Sequence, residues 1–295
     1  MASRRATVAR DAPVPAPSGE RQVAVLFAAI TGAADAAAMR PGQETIAVAT
    51  VSCGGRIVKT MAETVMAVFP SADAAAAAAA QMHTAIETLG LALRIAFHAG
   101  PVIQRDSDVF GDTVNVAWRL MGQATHGQVL TSDDTSSTLG PLLRRATRKL
   151  YPIRVKGKTE RLTLCELVWQ QSADVTDVST MVSAPRPKTL LRLRYRGRDL
   201  TRRRAQESIV IGRDKQCSLV IASPAASRQH CTIERLQNTF VLQDHSTNGT
   251  YITVAGEQEV VVEREDFALR QHGWISLGAP RDESRDVVEY FCESV

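Results

Sequence analysis

The chain has 295 residues, 44% of them hydrophobic and 22% charged, which is enough length and apolar content for two globular domains. The formal net charge of +4 at pH 7 is small, and the five cysteines form no CxxC pair, which argues against a disulfide framework and a zinc site. No apolar run approaches the roughly 18 residues of a membrane span, and no signal-peptide core is present, which predicts a cytoplasmic protein.

The first part of the chain alternates between strand and helix patterns. Residues 1–22 are rich in Pro, Ala and Arg and predict a disordered tail. Ser71 is predicted to cap an Ala-rich helix that ends at Leu89, and an irregular helix is expected between residues 131 and 155. Residues 45–51 and 56–60 fit either a helix or a strand. Strands are predicted at 23–30, 64–69, 91–97 and 162–169, and a second regular helix at 110–120.

Five segments of this region resemble the class III adenylate/guanylate cyclase homology domain, over roughly residues 23–170. They are VLFAAITG from Val25, GGRIVKT from Gly54, VFGDTVNVAWRL from Val109, GQVLTS from Gly127 and VKGK from Val155. The resemblance implies a ferredoxin-like α+β fold and a head-to-tail dimer that converts a nucleoside triphosphate to a cyclic monophosphate and pyrophosphate. In the family, two aspartates hold two metal ions, which activate the 3′-hydroxyl and neutralise the phosphates.

The metal site departs from the family pattern at both aspartates. Ala29 stands at the first position, and a methyl group cannot ligate a cation. Glu63 stands at the second position, between Ala62 and Thr64 where the family has glycines, which predicts a remodelled hairpin turn. We therefore expect a degenerate metal site, with Glu63 as its remaining candidate ligand, and a loss of cyclase turnover.

The residues that the family uses to hold the nucleotide are still present: Lys59, Asp108, Asn115, Arg119, and Lys156 or Lys158. By motif position, the first two match the pair that selects adenine, and the next two match the pair that orients the ribose and stabilises the transition state. The lysines match the contact with the triphosphate. The resemblance thus implies ATP, with Mg or Mn, as a ligand, although an adaptor needs no cofactor. Asn115 and Arg119 share a helix face, and a role in solubility or dimer contacts alone remains the alternative.

Residues 171–187 are polar, lack periodicity and end in Pro, which predicts a linker between two domains. Thr176 and Thr180 lie beside acids in this segment, and Thr7 follows two arginines. Each of these threonines is a candidate substrate of a Ser/Thr kinase.

The last part of the chain reads as short strands separated by polar connections. Apolar runs at 208–211, 219–221 and 239–242 are typical of an antiparallel sandwich. The connections between them carry GR, SRQH and STNGT, and loops gather at the ends of a sandwich. We therefore expect these polar groups to converge on one ligand. A guanidinium fork combined with hydroxyl and amide donors suits a phosphate group.

These three motifs resemble the forkhead-associated (FHA) domain, an all-β sandwich that binds phosphothreonine peptides, over roughly residues 188–295. Carried over by motif position, Arg213 and Ser227 hold the phosphate, and Thr247 contacts the phosphate or the adjacent peptide. Asn248 bonds the peptide backbone, and Arg228 reads the neighbouring residues.

Two further residues of these motifs are predicted to be structural, His230 as a hydrogen-bonding side chain and Gly249 as a turn residue with positive φ. Charge is distributed unevenly in this region, because arginines crowd residues 186–204 and acids dominate from Glu257 onward. No aromatic platform accompanies the arginines. They therefore favour a solvated strand face that attracts anionic phosphopeptides, and argue against nucleic-acid binding.

Together these patterns predict an α+β cyclase-homology domain, followed by an all-β FHA domain, in a signalling adaptor. The expected partners are a threonine-phosphorylated protein, a Ser/Thr kinase and a second copy of the chain. Two alternatives stay open. One is an active adenylate cyclase that the FHA domain regulates, and the other is a heterodimer with a cyclase whose aspartates are intact.

Overall fold

The computed structural model describes residues 20–32, 36–157, 159–169, 189–202, 208–237 and 239–294. The predictions for the tail up to residue 19, for Lys158, for the linker at 171–187 and for Thr7, Thr176 and Thr180 lie outside these residues. Two domains are present, an α+β domain followed by a β-sandwich. Among the described helices, none is long and apolar enough to cross a membrane. The cytoplasmic location stays a prediction.

The N-terminal domain is built on an eight-stranded mixed sheet. Its elements are β1 (Glu20–Thr31), α1 (Ala36–Ser52), β2 (Arg56–Met61), β3 (Thr64–Phe69), α2 (Ala72–Glu87), β4 (Ala92–Arg105), β5 (Asp108–Phe110), α3 (Asp112–Gln123), β6 (Val129–Ser132), α4 (Asp133–Thr138), α5 (Pro141–Arg145), β7 (Thr147–Ile153) and β8 (Leu162–Leu167). The strand order is β2-β3-β1-β4-β6-β8-β7, and β5 pairs with β4. β4 and β6 run parallel, whereas β1 is antiparallel to both of its neighbours.

Both faces of β1 are buried, because it lies in the middle of a sheet that is covered on two sides. Leu26 and Ala28 pack on the face covered by α1 and α2. Phe27 and Ala29 pack on the opposite face, under α3. A strand with two buried faces reads as a continuous apolar run, which is the pattern of residues 23–30 in the sequence.

Most predicted elements of this domain are present, with differences at their ends. Ser71 caps α2 as predicted, since its side chain accepts a hydrogen bond from Ala74 N at 3.2 Å. Residues 45–51 are helical and residues 56–60 form a strand. The predicted tail is wrong at residues 20–22, which belong to β1 and pair with β4.

The strand β7 replaces part of the irregular helix predicted between residues 131 and 155. Its pairing with β8 shifts register between Lys149 and Pro152. A proline cannot donate to the ladder, so its presence weakens a strand pattern in the sequence.

The C-terminal domain is a sandwich of two antiparallel sheets, apart from one short parallel pair, β11 with β12. Its strands are β9 (Thr189–Tyr195), β10 (Arg198–Arg202), β11 (Ile209–Gly212), β12 (Leu219–Val220), β13 (Cys231–Leu236), β14 (Thr239–Asp244), β15 (Thr250–Val254), β16 (Val260–Val262), β17 (Asp266–Leu269), β18 (His272–Leu277) and β19 (Val287–Ser294). The sheet orders are β10-β9-β19-β18-β15-β16 and β12-β11-β13-β14-β17. Apolar side chains of both sheets fill one core between them, which confirms the predicted sandwich.

The two domains share part of a hydrophobic core. Val241, on the outer face of β14, is fully buried and belongs to the cluster that contains Tyr151 and Ile153 of β7. Gln237, in the turn before β14, donates a hydrogen bond to Leu150 O at 2.6 Å. The sandwich thus packs directly on the face of the N-terminal sheet that carries α3.

Candidate functional site

Three loops of the sandwich meet at one end, as their motifs predict. Backbone hydrogen bonds join the first two loops, from Arg213 N to Ser227 O and from Asp214 N to Arg228 O, both at 3.0 Å. Gly212 allows this contact, because a Cβ at that position would lie 2.2 Å from Arg228 O. The glycine before Arg213 is therefore required by the close approach of two backbones.

His230 joins the second loop to the third. Its Nδ1 accepts a hydrogen bond from Ser227 N at 3.0 Å, which leaves the proton on Nε2, and Nε2 donates to Gly249 O at 3.0 Å. Burial lowers the pKa of this imidazole and keeps it neutral. Gly249 has φ of +79°, as a turn glycine requires. The structural roles predicted for His230 and Gly249 are confirmed.

The third loop is held by hydrogen bonds to Asp244, a residue that no sequence motif indicated. This fully buried carboxylate accepts hydrogen bonds from Ser246 Oγ at 2.8 Å, Thr250 Oγ1 at 2.6 Å and Arg264 N at 2.8 Å. A second bond to Ser246 comes from its backbone N. A carboxylate with this many donors fixes the loop between residues 244 and 250.

The predicted ligand-binding side chains lie on the exposed surface of these loops. Arg213, Arg228, Thr247 and Asn248 are exposed. Ser227 Oγ accepts a weak hydrogen bond from Thr247 N at 3.4 Å, so these two residues are adjacent. Within the part of the chain that the structure describes, the Arg213 guanidinium has no ion-pair or hydrogen-bond partner.

The arginines of β9 differ from Arg213 in this respect. Arg192 pairs with Glu293 at 2.8 Å, and Arg196, in the turn after β9, pairs with Asp286 at 2.7 Å. Arg194 pairs with Asp199 at 2.9 Å. The positive charge of Arg192 and Arg194 is thus paired with acids, and the attraction of phosphopeptides to the wider arginine-rich segment stays a prediction.

On the N-terminal domain, Lys59 and Asp108 form the predicted pair. Their side chains meet at 3.4 Å across β2 and β5, and both are partly exposed. Asn115 and Arg119 lie one turn apart on α3, where Asn115 is exposed and Arg119 half-buried, whereas Val116 and Leu120 are buried. The amphipathic pattern of α3 therefore turns both predicted polar residues away from the helix's apolar face.

The metal position does not fit a two-metal site. Ala29 is fully buried and pairs across β1 and β4 with Arg94, so both side chains lie on the same face of the sheet. The charge of Glu63 acts on Arg94, which places a fixed guanidinium cation near the one remaining acid. Among the described residues, no three acidic, histidine or cysteine side chains gather to hold a metal ion.

The hairpin beside this position has a two-residue turn, and its remodelling relative to the family stays a prediction. Met61 and Thr64 pair directly on either side of it. Only Ala62 of the turn has a positive φ, at 46°, among the described residues of this hairpin. Thr64 lies in the extended strand β3, where a β-branched residue is favourable.

Two of the predicted nucleotide residues contact acids of the sandwich. Arg119 Nη1 forms an ion pair with Glu265 Oε2, and Lys156 Nζ pairs with Glu263 Oε2 at 2.5 Å. Burial raises the pKa of Glu265 above its usual range, against the opposing effect of Arg119. Neither pair follows from a pattern in the sequence.

Further charged pairs extend this contact between the domains. Arg94 and Arg270 both bind Glu257, at 2.7 and 2.8 Å. Burial alone would raise the pKa of Glu257, but the two guanidinium groups hold it below its usual range. Arg154 pairs with Asp266 at 2.9 Å and donates to the carbonyl of Asp244 at 3.4 Å.

Gln123 completes the contact through its side-chain amide. Its Nε2 donates to Asp266 O at 2.8 Å, and its Oε1 accepts from Ala268 N at 2.7 Å. We call the acids Glu257, Glu263, Glu265 and Asp266 the acidic rim, and the residues Arg94, Arg119, Gln123, Arg154 and Lys156 the docking face. The acids that dominate the sequence from Glu257 onward were a signal for this contact, but they did not indicate its partner.

Comparisons with known proteins agree with the two resemblances. The model of the adenylate and guanylate cyclase catalytic domain matches residues 48–165, and that of the FHA domain matches residues 209–278. An adenylate/guanylate cyclase/hydrolase from Silicibacter pomeroyi is 26% identical over 51% of this chain and 98% of its own, with a TM-score of 0.47. The comparison with curated protein sequences gives no match.

Two further solved structures are similar to separate parts of the chain. An adenylyl cyclase from P. aeruginosa is 20% identical over 53% of this chain and 98% of its own, with a TM-score of 0.44. An FHA domain of Mycobacterium tuberculosis is 24% identical over 36% of this chain and 97% of its own, with a TM-score of 0.29. The two family matches thus identify a region of adenylate/guanylate cyclase homology at residues 48–165 and an FHA domain at residues 209–278.

Proposed function

We propose that this chain is a signalling adaptor. Its FHA domain binds a protein that a Ser/Thr kinase has phosphorylated on threonine. Its cyclase-homology domain is degenerate, and it binds nucleotide or a second copy of the chain without forming a cyclic product. The observation that carries the first part is the exposed guanidinium of Arg213, which lies over loops that are fixed by His230 and Asp244.

Each binding residue has a distinct chemical role in this proposal. Arg213 and the hydroxyl of Ser227 hold the phosphate, because a charged fork and a short hydroxyl donor match its oxygens. Thr247 adds a contact to the phosphate or the adjacent peptide. Asn248 brackets the peptide backbone with its amide, and Arg228 reads the residues beside the phosphothreonine.

The test uses the full-length chain and a degenerate phosphothreonine peptide library, with the unphosphorylated library as the reference. Arg213→Ala should weaken phosphopeptide binding by at least about tenfold, because a charge-assisted hydrogen bond to the phosphate is lost. Arg161→Ala is the matched control, since it removes the same charge from an exposed position directly before β8, on the other domain. Undiminished phosphopeptide affinity in Arg213→Ala would refute the site assignment.

The proposal of a degenerate cyclase is supported by the fully buried methyl group of Ala29 and by its pairing with Arg94. Loss of one metal-binding carboxylate removes the negative charge that balances the two cations in the reaction. ATP, with Mg or Mn, then remains a ligand that Lys59, Asp108, Asn115, Arg119 and Lys156 could hold, and the adaptor needs no cofactor for its phosphopeptide site.

The rival function is an active adenylate cyclase that the FHA domain regulates. The ion pair between Lys59 and Asp108 favours it, because the adenine-selecting residues are already in contact. We expect no cyclic AMP when the full chain is incubated with ATP and Mn²⁺, and the same background from Asn115→Ala. Cyclic AMP that disappears in Asn115→Ala would establish the rival. New activity on mixing with a complete cyclase would instead support the heterodimer.

A further inference from the structure

Two of the residues proposed to hold the nucleotide are not free in the docked chain. Arg119 and Lys156 each bind a carboxylate of the acidic rim. Arg94 and Arg154 bind the other two acids of the rim, Glu257 and Asp266. Four cations of the docking face thus meet four carboxylates from the FHA domain.

Carboxylates and phosphates are alternative acceptors for the same cations. Both present oxygen pairs that a guanidinium fork binds through parallel, charge-assisted hydrogen bonds, and both pair with a lysine ammonium. The acidic rim therefore offers the docking face the kind of partner that a chain of phosphates would offer.

The two partners cannot occupy the docking face together. Glu265 and Asp266 are 8% and 2% exposed, and Arg119 and Arg154 are their ion-pair partners. If a phosphate took either cation while the domains stayed docked, a buried carboxylate would lose its counter-charge, which is strongly unfavourable. Phosphate added beside the rim would also place like charges in contact.

We propose that the FHA domain occupies the nucleotide-binding face of the cyclase domain within the same chain, and that polyphosphate and the acidic rim bind this face in competition. The inference rests on the proposed nucleotide-binding role of Arg119 and Lys156. It adds a regulator to that role, because nucleotide binding requires the FHA domain to separate from the docking face.

Two backbone amides report this separation directly. Asp266 N donates to Arg154 O at 3.2 Å, and Ala268 N donates to Gln123 Oε1 at 2.7 Å, both across the domain contact. The backbone N–H groups of the alternate residues Phe267 and Leu269 point towards β14, with which β17 pairs. Their hydrogen exchange therefore serves as an internal reference. In the wild-type chain, sodium triphosphate should accelerate hydrogen exchange at Asp266 and Ala268 and leave the two references protected.

The second arm measures affinity by calorimetry with ATP and with sodium triphosphate. Glu263→Gln/Glu265→Gln keeps the size of both side chains and removes their charge, and it should tighten binding of both ligands by at least about fivefold. Glu289→Gln/Glu293→Gln makes the same charge change on β19, away from the docking face, and should bind as the wild type does. Adding Arg119→Ala to the first variant should abolish the gain.

The outcomes separate this inference from the proposed function. Equal, measurable ATP affinity in the wild type and in Glu263→Gln/Glu265→Gln overturns competition and leaves nucleotide binding intact. A gain that survives Arg119→Ala also overturns it, since the ligand would then bind elsewhere. If neither protein binds ATP or triphosphate, and the wild-type amides stay protected, both the inference and the nucleotide role fail. The exchange measurement needs no variant, so it decides the question even if the substitutions impair folding.

Discussion

His83 illustrates how burial alone sets the charge of a side chain. This residue of α2 is 2% exposed, and its ring stacks on Trp169 with centroids 4.5 Å apart. Its Nε2 has no hydrogen-bond partner among the described residues. Burial lowers the pKa of His83 to about 4, against the opposing effect of a backbone hydrogen bond with Gln128. The imidazole is therefore neutral in the folded domain at neutral pH.

This shift predicts a pH-dependent stability. Above pH 6.5 the ring is neutral in both states, but as pH falls from 6.5 towards 4 the unfolded chain binds a proton that the folded chain does not. The free energy of unfolding should thus decrease over this range, by up to about 3 kcal/mol from this group. Chemical denaturation at several pH values measures the slope.

The control for this prediction is His83→Phe, which keeps a ring beside Trp169. The pKa values of His230 and His245 are also lowered, but both residues are present in the two proteins and cancel in the comparison. An identical pH slope in the wild type and in His83→Phe would show that His83 binds a proton equally in the folded and unfolded states. The predicted loss of stability would then be wrong.

Single residues differed in how far the sequence could predict them. Arg213 and Thr247 stand in motifs whose spacing is visible in the chain, and the structure places both at the same end of the sandwich. His83 and Asp244 owe their properties to burial by residues far away in sequence, which no local pattern reveals. The contact between Arg119 and Glu265 is of the same kind, since it depends on how two domains pack.

At the scale of elements, the recognition loop between β14 and β15 depends on one buried group. Asp244 ends β14 and binds Ser246 and Thr250, which flank the exposed Thr247 and Asn248. The side chain of Asp244 is fully buried and does not lie among the exposed residues of the site. Its effect on binding should therefore pass through the loop's conformation.

Asp244→Asn tests this dependence. An amide has one acceptor oxygen in place of two, so part of the donor set around residue 244 loses its partner, at about 1 to 3 kcal/mol of stability. We expect a lower unfolding temperature of the FHA domain and weaker phosphopeptide binding. Asp282→Asn, an exposed acid before β19, makes the same charge change as a control. Unchanged peptide affinity in Asp244→Asn would show that the loop holds its shape without this carboxylate.

Elements were predicted well where one pattern dominates and poorly where signals conflict. The apolar run of β1 and the capped, Ala-rich α2 were found because burial on two faces and a Ser N-cap leave clear sequence patterns. Residues 45–51 fitted a helix or a strand, and packing of α1 against α2 and the sheet decided for the helix. The strand β7 was missed because Pro152 interrupts its pattern.

At the scale of the whole molecule, the arrangement of the two domains is what the sequence did not predict. Each family resemblance describes one domain, and neither contains information about a surface that forms between them. The docked FHA domain pairs its acids with Arg119 and Lys156, which the resemblance assigns to a site built from two subunits. A dimer of that kind and the docked chain therefore use the same residues, and the homodimer stays a proposal that requires undocking.

The amide of Gln123 also shields the outer side of β17, where it bonds Asp266 O and Ala268 N. β17 has only one strand neighbour in its sheet, β14, among the described residues. When the domains separate, these backbone groups lose their partners, and the strand becomes a template onto which another polypeptide can add by main-chain pairing. Separation of the domains thus exposes an unpaired strand edge as well as a cationic face. Two separated chains can then pair through β17, which the docked arrangement prevents.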